Sequence, residues 1–158
     1  MYRLKDLINK AIEVSSAEFH LVEEELFIAL YAVNEKPDFI SAFLEISSWM
    51  GTSFRSGVWT YYEATAKEQI EMTIRYLQQN ASVSEISRMY ALGNHDYGNE
   101  KYQIEFDYPQ EWIDESEIID KWIYDNEENI IVFLQEMLRI NSDYFNQTEG
   151  KNKDGRKI

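Results

Sequence analysis

The stretch from Asp114 to Leu138, DESEIIDKWIYDNEENIIVFLQEML, decides the fold class. Its apolar residues recur at the three- and four-residue spacing of an amphipathic helix, twice in succession. The first inner face is predicted to carry Ile118, Ile119, Trp122 and Ile123, and the second Ile130, Ile131, Phe133, Leu134, Met137 and Leu138. Asp114 and Asp125 each precede a glutamate by three residues, as in a capping box. These signals predict two closing helices, near residues 114–125 and 126–145.

Helical spacing extends through most of the remaining chain. Pro37 is predicted to open a long helix that Gly51 stops, with a turn from Gly51 to Gly57. Ser82, three residues before a glutamate, is predicted to cap a short helix that ends at Gly93. The sequence therefore predicts an all-α fold, a single compact domain of about seven helices.

One segment departs from the helical pattern. Its aromatic and aliphatic residues alternate with polar ones, which is typical of an extended chain; they are Tyr102, Ile104, Phe106 and Tyr108. We therefore expect a short extended segment near residues 101–108. Residues 1–145 are predicted to form the acidic helical domain, and residues 146–158, which are polar and rich in glycine and lysine, a disordered tail.

Composition narrows the class of protein. The chain has 158 residues, no cysteine and 15% aromatic residues, so a folded core is expected without disulfides or thiolate chemistry. The N-terminus has no apolar signal region, and the longest apolar run, Leu26 to Val33, is far shorter than the ~20 residues that span a bilayer. We expect a cytoplasmic location.

The strongest signal is a concentration of negative charge. The formal net charge is −14, and between Asp96 and Glu128 twelve carboxylates stand against two basic residues, Lys101 and Lys121. Such a field repels itself in a folded protein unless solvation or a cationic partner compensates. The two interpretations are a solvated face and a binding surface for a basic protein.

The binding interpretation predicts a row of carboxylates on the first closing helix. Residues three apart on a helix are separated by ~4.5 Å of rise, close to the ~3.4 Å per phosphate along one DNA strand. Asp114, Glu117 and Asp120 are predicted to face outward in this row. The full predicted partner surface is Asp107, Glu111, Asp114, Glu115, Glu117, Asp120, Asp125, Glu127 and Glu128.

Catalytic signals are sparse. The sequence Gly93-Asn94-His95-Asp96 matches an element of metallophosphoesterases, but the chain has one other histidine, His20, and no alternation of strands and helices. We interpret it as a helix end followed by a polar turn, and predict no enzyme activity, no cofactor and no metal site. The dense aromatic residues could form an exposed recognition patch, but we interpret them as core or partly buried packing; they are Trp49, Phe54, Trp59, Tyr61 and Tyr62.

The order of features resembles the DNA-mimic protein family, small acidic helical bacterial proteins that mostly lack an assigned function. Residues 56–62, SGVWTYY, occupy the place of that family's Asn-Gly-Gly-Phe-like turn and aromatic helix. Residues 64–92 match its long and short helices, and residues 113–144 its acidic helix pair. The resemblance implies an all-α fold and, for the members that mimic DNA, binding to a DNA-binding regulator through surface carboxylates.

Three alternatives stay open at this point. An immunity protein that blocks a basic toxin nuclease would need the same acidic surface. A small metal-dependent enzyme would use His95 and Asp96. A structural protein would dimerise through exposed aromatic residues. None of these functions, as we predict them, involves direct contact with nucleic acid or a membrane.

Overall fold

A computed structural model describes residues 3–151 of the chain, with side chains for residues 3–147. It confirms the all-α prediction, since the described residues form α-helices and no strand, but the helices number ten rather than about seven. They are α1 Leu4–Glu13, α2 His20–Tyr31, α3 Asp38–Ser56, α4 Val58–Ala64, α5 Lys67–Asn80, α6 Glu85–Leu92, α7 Glu100–Glu105, α8 Gln110–Asp125, α9 Glu127–Ile140 and α10 Ser142–Lys151, with a 3-10 turn at Ser16–Glu18.

Helix α3 lies at the centre of the molecule. It contacts α4, α5, α8 and α9 as well as α2, which explains why most of its residues are buried. Trp49 on this helix is fully buried, and its Nε1–H donates a hydrogen bond of 2.9 Å to the Tyr62 hydroxyl. Tyr61 and Tyr62 of α4 are also buried. The interpretation of this aromatic cluster as core packing is confirmed for these three residues.

The predicted stop at Gly51 is wrong, because α3 continues through it to Ser56. Glycine inside a helix costs up to about 1 kcal/mol relative to alanine, and the buried face of α3 outweighs that cost. The helix is capped instead at Gly57. This residue has a φ of 87°, which glycine adopts readily and which would strain a residue with a side chain. The expected turn from Gly51 to Gly57 is therefore mostly helix.

Two predicted helix starts are also wrong. The N-cap of α6 is Ser84 rather than Ser82, since its hydroxyl accepts the Ile86 N–H at 3.3 Å. Asp114 lies inside α8, which begins four residues earlier, directly after Pro109. A capping-box spacing can occur at several nearby positions, so it does not by itself fix where a helix begins. Proline suits a helix entrance because its φ is fixed near the helical value and the N–H that it lacks would have no partner within the helix.

The segment predicted as extended is a short helix, α7, followed by a turn at Phe106. The described residues contain no strand with which an extended segment would pair, so its backbone groups are satisfied locally. Asn99 caps the helix by accepting the Lys101 N–H at 3.0 Å. The alternation instead divides these four residues into two pairs. Tyr102 and Tyr108 stack on each other at 5.7 Å, whereas Ile104 and Phe106 are exposed to solvent.

The C-terminal helix, α10, runs past residue 146, where the tail was predicted to begin. Its Phe145 is buried and packs edge-on against Phe39, which ties the helix to the start of α3. The rest of the predicted tail, residues 152–158, lies outside the described residues. Among residues 3–151, we find no helix with the length and apolar character that crossing a membrane requires.

Candidate acidic partner-binding surface

Helix α8 carries most of the predicted surface, and its orientation is set by Ile119 and Ile123, both fully buried. Ile118, predicted on the same inner face, is 56% exposed. Successive helical residues are rotated by ~100°, so a side chain next to a buried one turns away unless another element covers it. The buried apolar stripe of α8 is thus narrower than the stripe that the apolar spacing of the sequence predicted.

The outward face of α8 presents Glu111, Asp114 and Glu117, which we call the α8 row. All three side chains are exposed. Asp114 accepts a hydrogen bond from Gln110 Nε2 at 2.8 Å, and none of the three forms an ion pair with any described basic residue. From Glu111 to Glu117 the row rises ~9 Å along the helix axis. The structure thus places these three carboxylates outward, and their role in binding a partner stays a prediction.

Lys121 interrupts the continuation of the row toward the C-terminal end of α8. Its Nζ lies 2.6 Å from Asp125 Oδ2, an i to i+4 pair on the helix surface. The hydrogen bond and the charge of Asp125 raise the pKa of Lys121. The Asp125 charge, predicted to extend the row, is therefore already matched within this chain.

Asp120 has a different role from the predicted one. Its side chain is half-buried, and Oδ1 accepts hydrogen bonds from the Val58 N–H at 2.8 Å and from Ser53 Oγ at 2.5 Å. It thus caps helix α4 from a distant part of the sequence and fixes the end of α3. A Cβ at Gly57 would lie 3.4 Å from Asp120 Oδ2, so the carboxylate fills the space beside that turn. Asp120 does not belong to the outward row.

Replacing Asp120 with alanine is expected to lower the free energy of unfolding by about 1–2 kcal/mol. The change removes a helix cap and leaves the half-buried Val58 N–H without its acceptor. Asp114→Ala on the exposed face should cost under about 0.5 kcal/mol. Guanidinium unfolding of both variants measures the difference, and an equal effect would contradict the capping role.

Glu115 also faces inward rather than toward a partner. His95 Nε2 donates a hydrogen bond to its carboxylate, and the His95 ring stacks on Trp112 at 4.6 Å with an interplanar angle of 4°. Both members of this pair are largely shielded from solvent. The pair attaches the segment that follows α6 to α8, so Glu115 has a structural role.

Glu127 and Glu128 lie on a separate surface from the α8 row. They line an open cleft of about 400 Å³ together with Glu23 and His20 of α2. Ser16 Oγ donates a 3.1 Å hydrogen bond to Glu128. Sequence reasoning missed Glu23 and His20 here, because the cleft brings together residues of α2 and of the start of α9, which are far apart in the sequence. The one available signal was the run Glu23-Glu24-Glu25.

Burial raises the pKa of Glu23, with a further contribution from the nearby Glu127 charge and an opposing one from His20. Because the pKa of Glu23 is raised in the folded state, the protonated carboxyl favours folding. Its contribution to the free energy of unfolding is complete below the ordinary pKa of 4.5 and is lost as pH rises through the folded-state pKa. Glu23→Gln does not titrate. Its stability relative to the unmodified protein should therefore increase from about pH 4 to neutral pH.

Urea midpoints at the two pH values test this expectation for Glu23. The exposed neighbour Glu24, changed to glutamine, is the matched control for the loss of one carboxylate from the same helix. A Glu23→Gln variant that loses stability relative to the unmodified protein as pH rises would contradict the assignment.

The metal-site alternative receives no support from the geometry at Gly93 to Asp96. His95 is engaged by Glu115, and Asp96 Oδ2 accepts a 3.3 Å hydrogen bond from Asn99. Among the described residues, no group of three or more histidine, aspartate or glutamate side chains is placed to hold a metal ion. Gly93 ends α6, and a Cβ there would lie 2.2 Å from the Tyr62 ring. Ring packing therefore explains the glycine.

Asp107, the remaining residue of the predicted surface, is exposed in the turn between α7 and α8, next to Phe106. The structure thus divides the predicted set into the α8 row, the cleft with Glu127 and Glu128, the turn with Asp107, and the internally bonded Glu115, Asp120 and Asp125. Comparisons with protein-family models, with curated proteins and with solved structures gave no match.

Proposed function

We propose that this protein binds a basic protein through the outward face of α8. The observation that supports the proposal is the α8 row, three exposed carboxylates without a basic partner in the described chain. Like charges held this close on a rigid helix attract a complementary surface and steer its approach.

The partner that best fits this charge pattern is a DNA-binding regulator, with the α8 row standing in for phosphates. The sequence-independent, electrostatic part of DNA affinity depends on closely spaced negative charges. The carboxylates are spaced by ~4.5 Å of rise along α8, so their linear charge density is comparable to that of the phosphates of one DNA strand. The α8 row is about as long as three such phosphates. A mimic of this length competes with DNA for part of the regulator's DNA-binding surface. Its affinity for the regulator falls steeply as the salt concentration rises.

The testing experiment is affinity capture on the immobilised full-length protein, from bacterial lysate at low salt. Bound proteins are eluted with a salt gradient in one arm and with competing duplex DNA in the other. A discrete nucleic-acid-binding protein released by DNA would support mimicry. Release by salt alone would support a basic partner that does not bind DNA, and a weak mixture of basic proteins would contradict specific binding.

A further inference from the structure

Phe106 combines two features that are unfavourable for folding. Its side chain is 81% exposed, and its φ of 51° places it in the left-handed region. Side chains larger than glycine, asparagine or aspartate are uncommon there because Cβ crowds the backbone. An exposed phenylalanine gains little from burial to offset that strain. Backbone strain of this kind, held by its surroundings, is a reason to look for a function.

Neighbouring residues hold Phe106 in this left-handed conformation. The Phe106 N–H donates a 2.8 Å hydrogen bond to the Tyr102 carbonyl, which closes the last turn of α7. On the other side of the turn, Tyr108 stacks on Tyr102, and the Tyr102 ring also contacts Trp112 of α8 at 5.1 Å. The turn is thus anchored at both ends by aromatic contacts to α8, and the Phe106 ring is left in solvent.

The charge around this ring is negative. Glu105 and Asp107 flank Phe106 and are both exposed. From Asp96 to Glu111 the chain carries five carboxylates and one lysine, Lys101. The Lys101 ammonium lies over the Tyr102 ring at 5.5 Å, and no basic group in the described part of the chain covers Phe106. The ring face is open to a cation from outside.

We propose that Phe106, Glu105 and Asp107 form a binding site for an arginine side chain of the basic partner; this inference rests on the proposed function. A guanidinium group is planar, stacks on an aromatic face and donates to carboxylates in a fork. The exposed Phe106 ring offers the aromatic face, and the exposed carboxylates of Glu105 and Asp107, its neighbours in the sequence, offer the acceptors. Lysine offers a point charge without a plane, so the site distinguishes arginine from lysine.

Synthetic nona-arginine and nona-lysine peptides test this inference on the full-length protein at low salt. The unmodified protein should bind nona-arginine more tightly. Phe106→Asn removes the ring and keeps a residue that tolerates the left-handed region. We expect it to weaken nona-arginine binding about two- to five-fold, the usual size of an exposed cation–π contact, and to weaken nona-lysine binding less, because an ammonium group does not stack on the ring.

The matched control is Phe54→Asn, which removes a ring that is 46% exposed on α3 and has no carboxylate beside it in the sequence. It should change neither affinity. The thermal midpoint of Phe106→Asn should equal or exceed that of the unmodified protein, because the strain is relieved.

Two results would overturn the arginine site while leaving the proposed function standing. One is equal binding of the two peptides by the unmodified protein, and the other is an unchanged nona-arginine affinity in Phe106→Asn. If neither peptide binds the unmodified protein at low salt, the proposed function fails together with the site.

Discussion

Replacing Glu111, Asp114 and Glu117 together with lysine is expected to abolish binding of the captured basic partner. The three side chains are exposed along one face of α8 and lack ion pairs in the described chain, so the substitutions should leave the core unchanged. Like charges brought together at an interface cost several kcal/mol, which corresponds to a loss of affinity of more than about 100-fold.

The measurement is the dissociation constant at several salt concentrations. A second variant with Glu24, Glu25 and Glu71 changed to lysine has the same net charge but carries the changes on exposed positions of α2 and α5. This control should lose far less affinity. Equal losses would show that only net charge matters, and an unchanged constant in the α8 variant would exclude the α8 row as the binding surface.

Asp120 is deliberately omitted from this experiment. Its carboxylate accepts the Val58 N–H and the Ser53 hydroxyl, so charge reversal there would disturb α3 and α4 as well as the surface. A loss of binding in such a variant would have two explanations. The α8 row alone separates the electrostatic contribution from the stability of the fold.

Replacing Trp49 with alanine is expected to cause the largest loss of stability, about 3–5 kcal/mol. The side chain is fully buried in α3, contacts Tyr90 edge-on at 5.5 Å and donates its indole N–H to Tyr62. Its removal leaves a cavity in a core that cannot collapse freely. For a domain of this size the melting temperature should fall by roughly 6–20 °C.

Calorimetry and guanidinium unfolding measure this loss. Phe54→Ala is the control from the same helix, since that ring is partly exposed and lies at the surface beside Tyr124. It should cost about 1 kcal/mol or less. Comparable losses for the two variants would contradict the central position of Trp49 in the core.

The sequence by itself determined the helical class and most of the inward-facing residues. Apolar spacing predicted that Ile119, Ile123, Ile130 and Leu134 face inward, and all four are fully buried. It also identified the exposed acidic positions Glu111, Asp114 and Glu117. Periodicity is sufficient for these residues because a helix buries one stripe whatever element lies against it.

Only the tertiary structure decided the roles of the remaining acidic residues. Asp120 meets Val58, Glu115 meets His95, and Glu128 meets Ser16, in each case across a sequence separation that spacing rules do not describe. Ile118 and Phe106 are likewise exposed because no other helix among residues 3–151 covers them. Local sequence fixes which face of a helix a side chain occupies, whereas its partner depends on how distant helices pack, and that packing assigned each carboxylate to a cap, a cleft or the open surface.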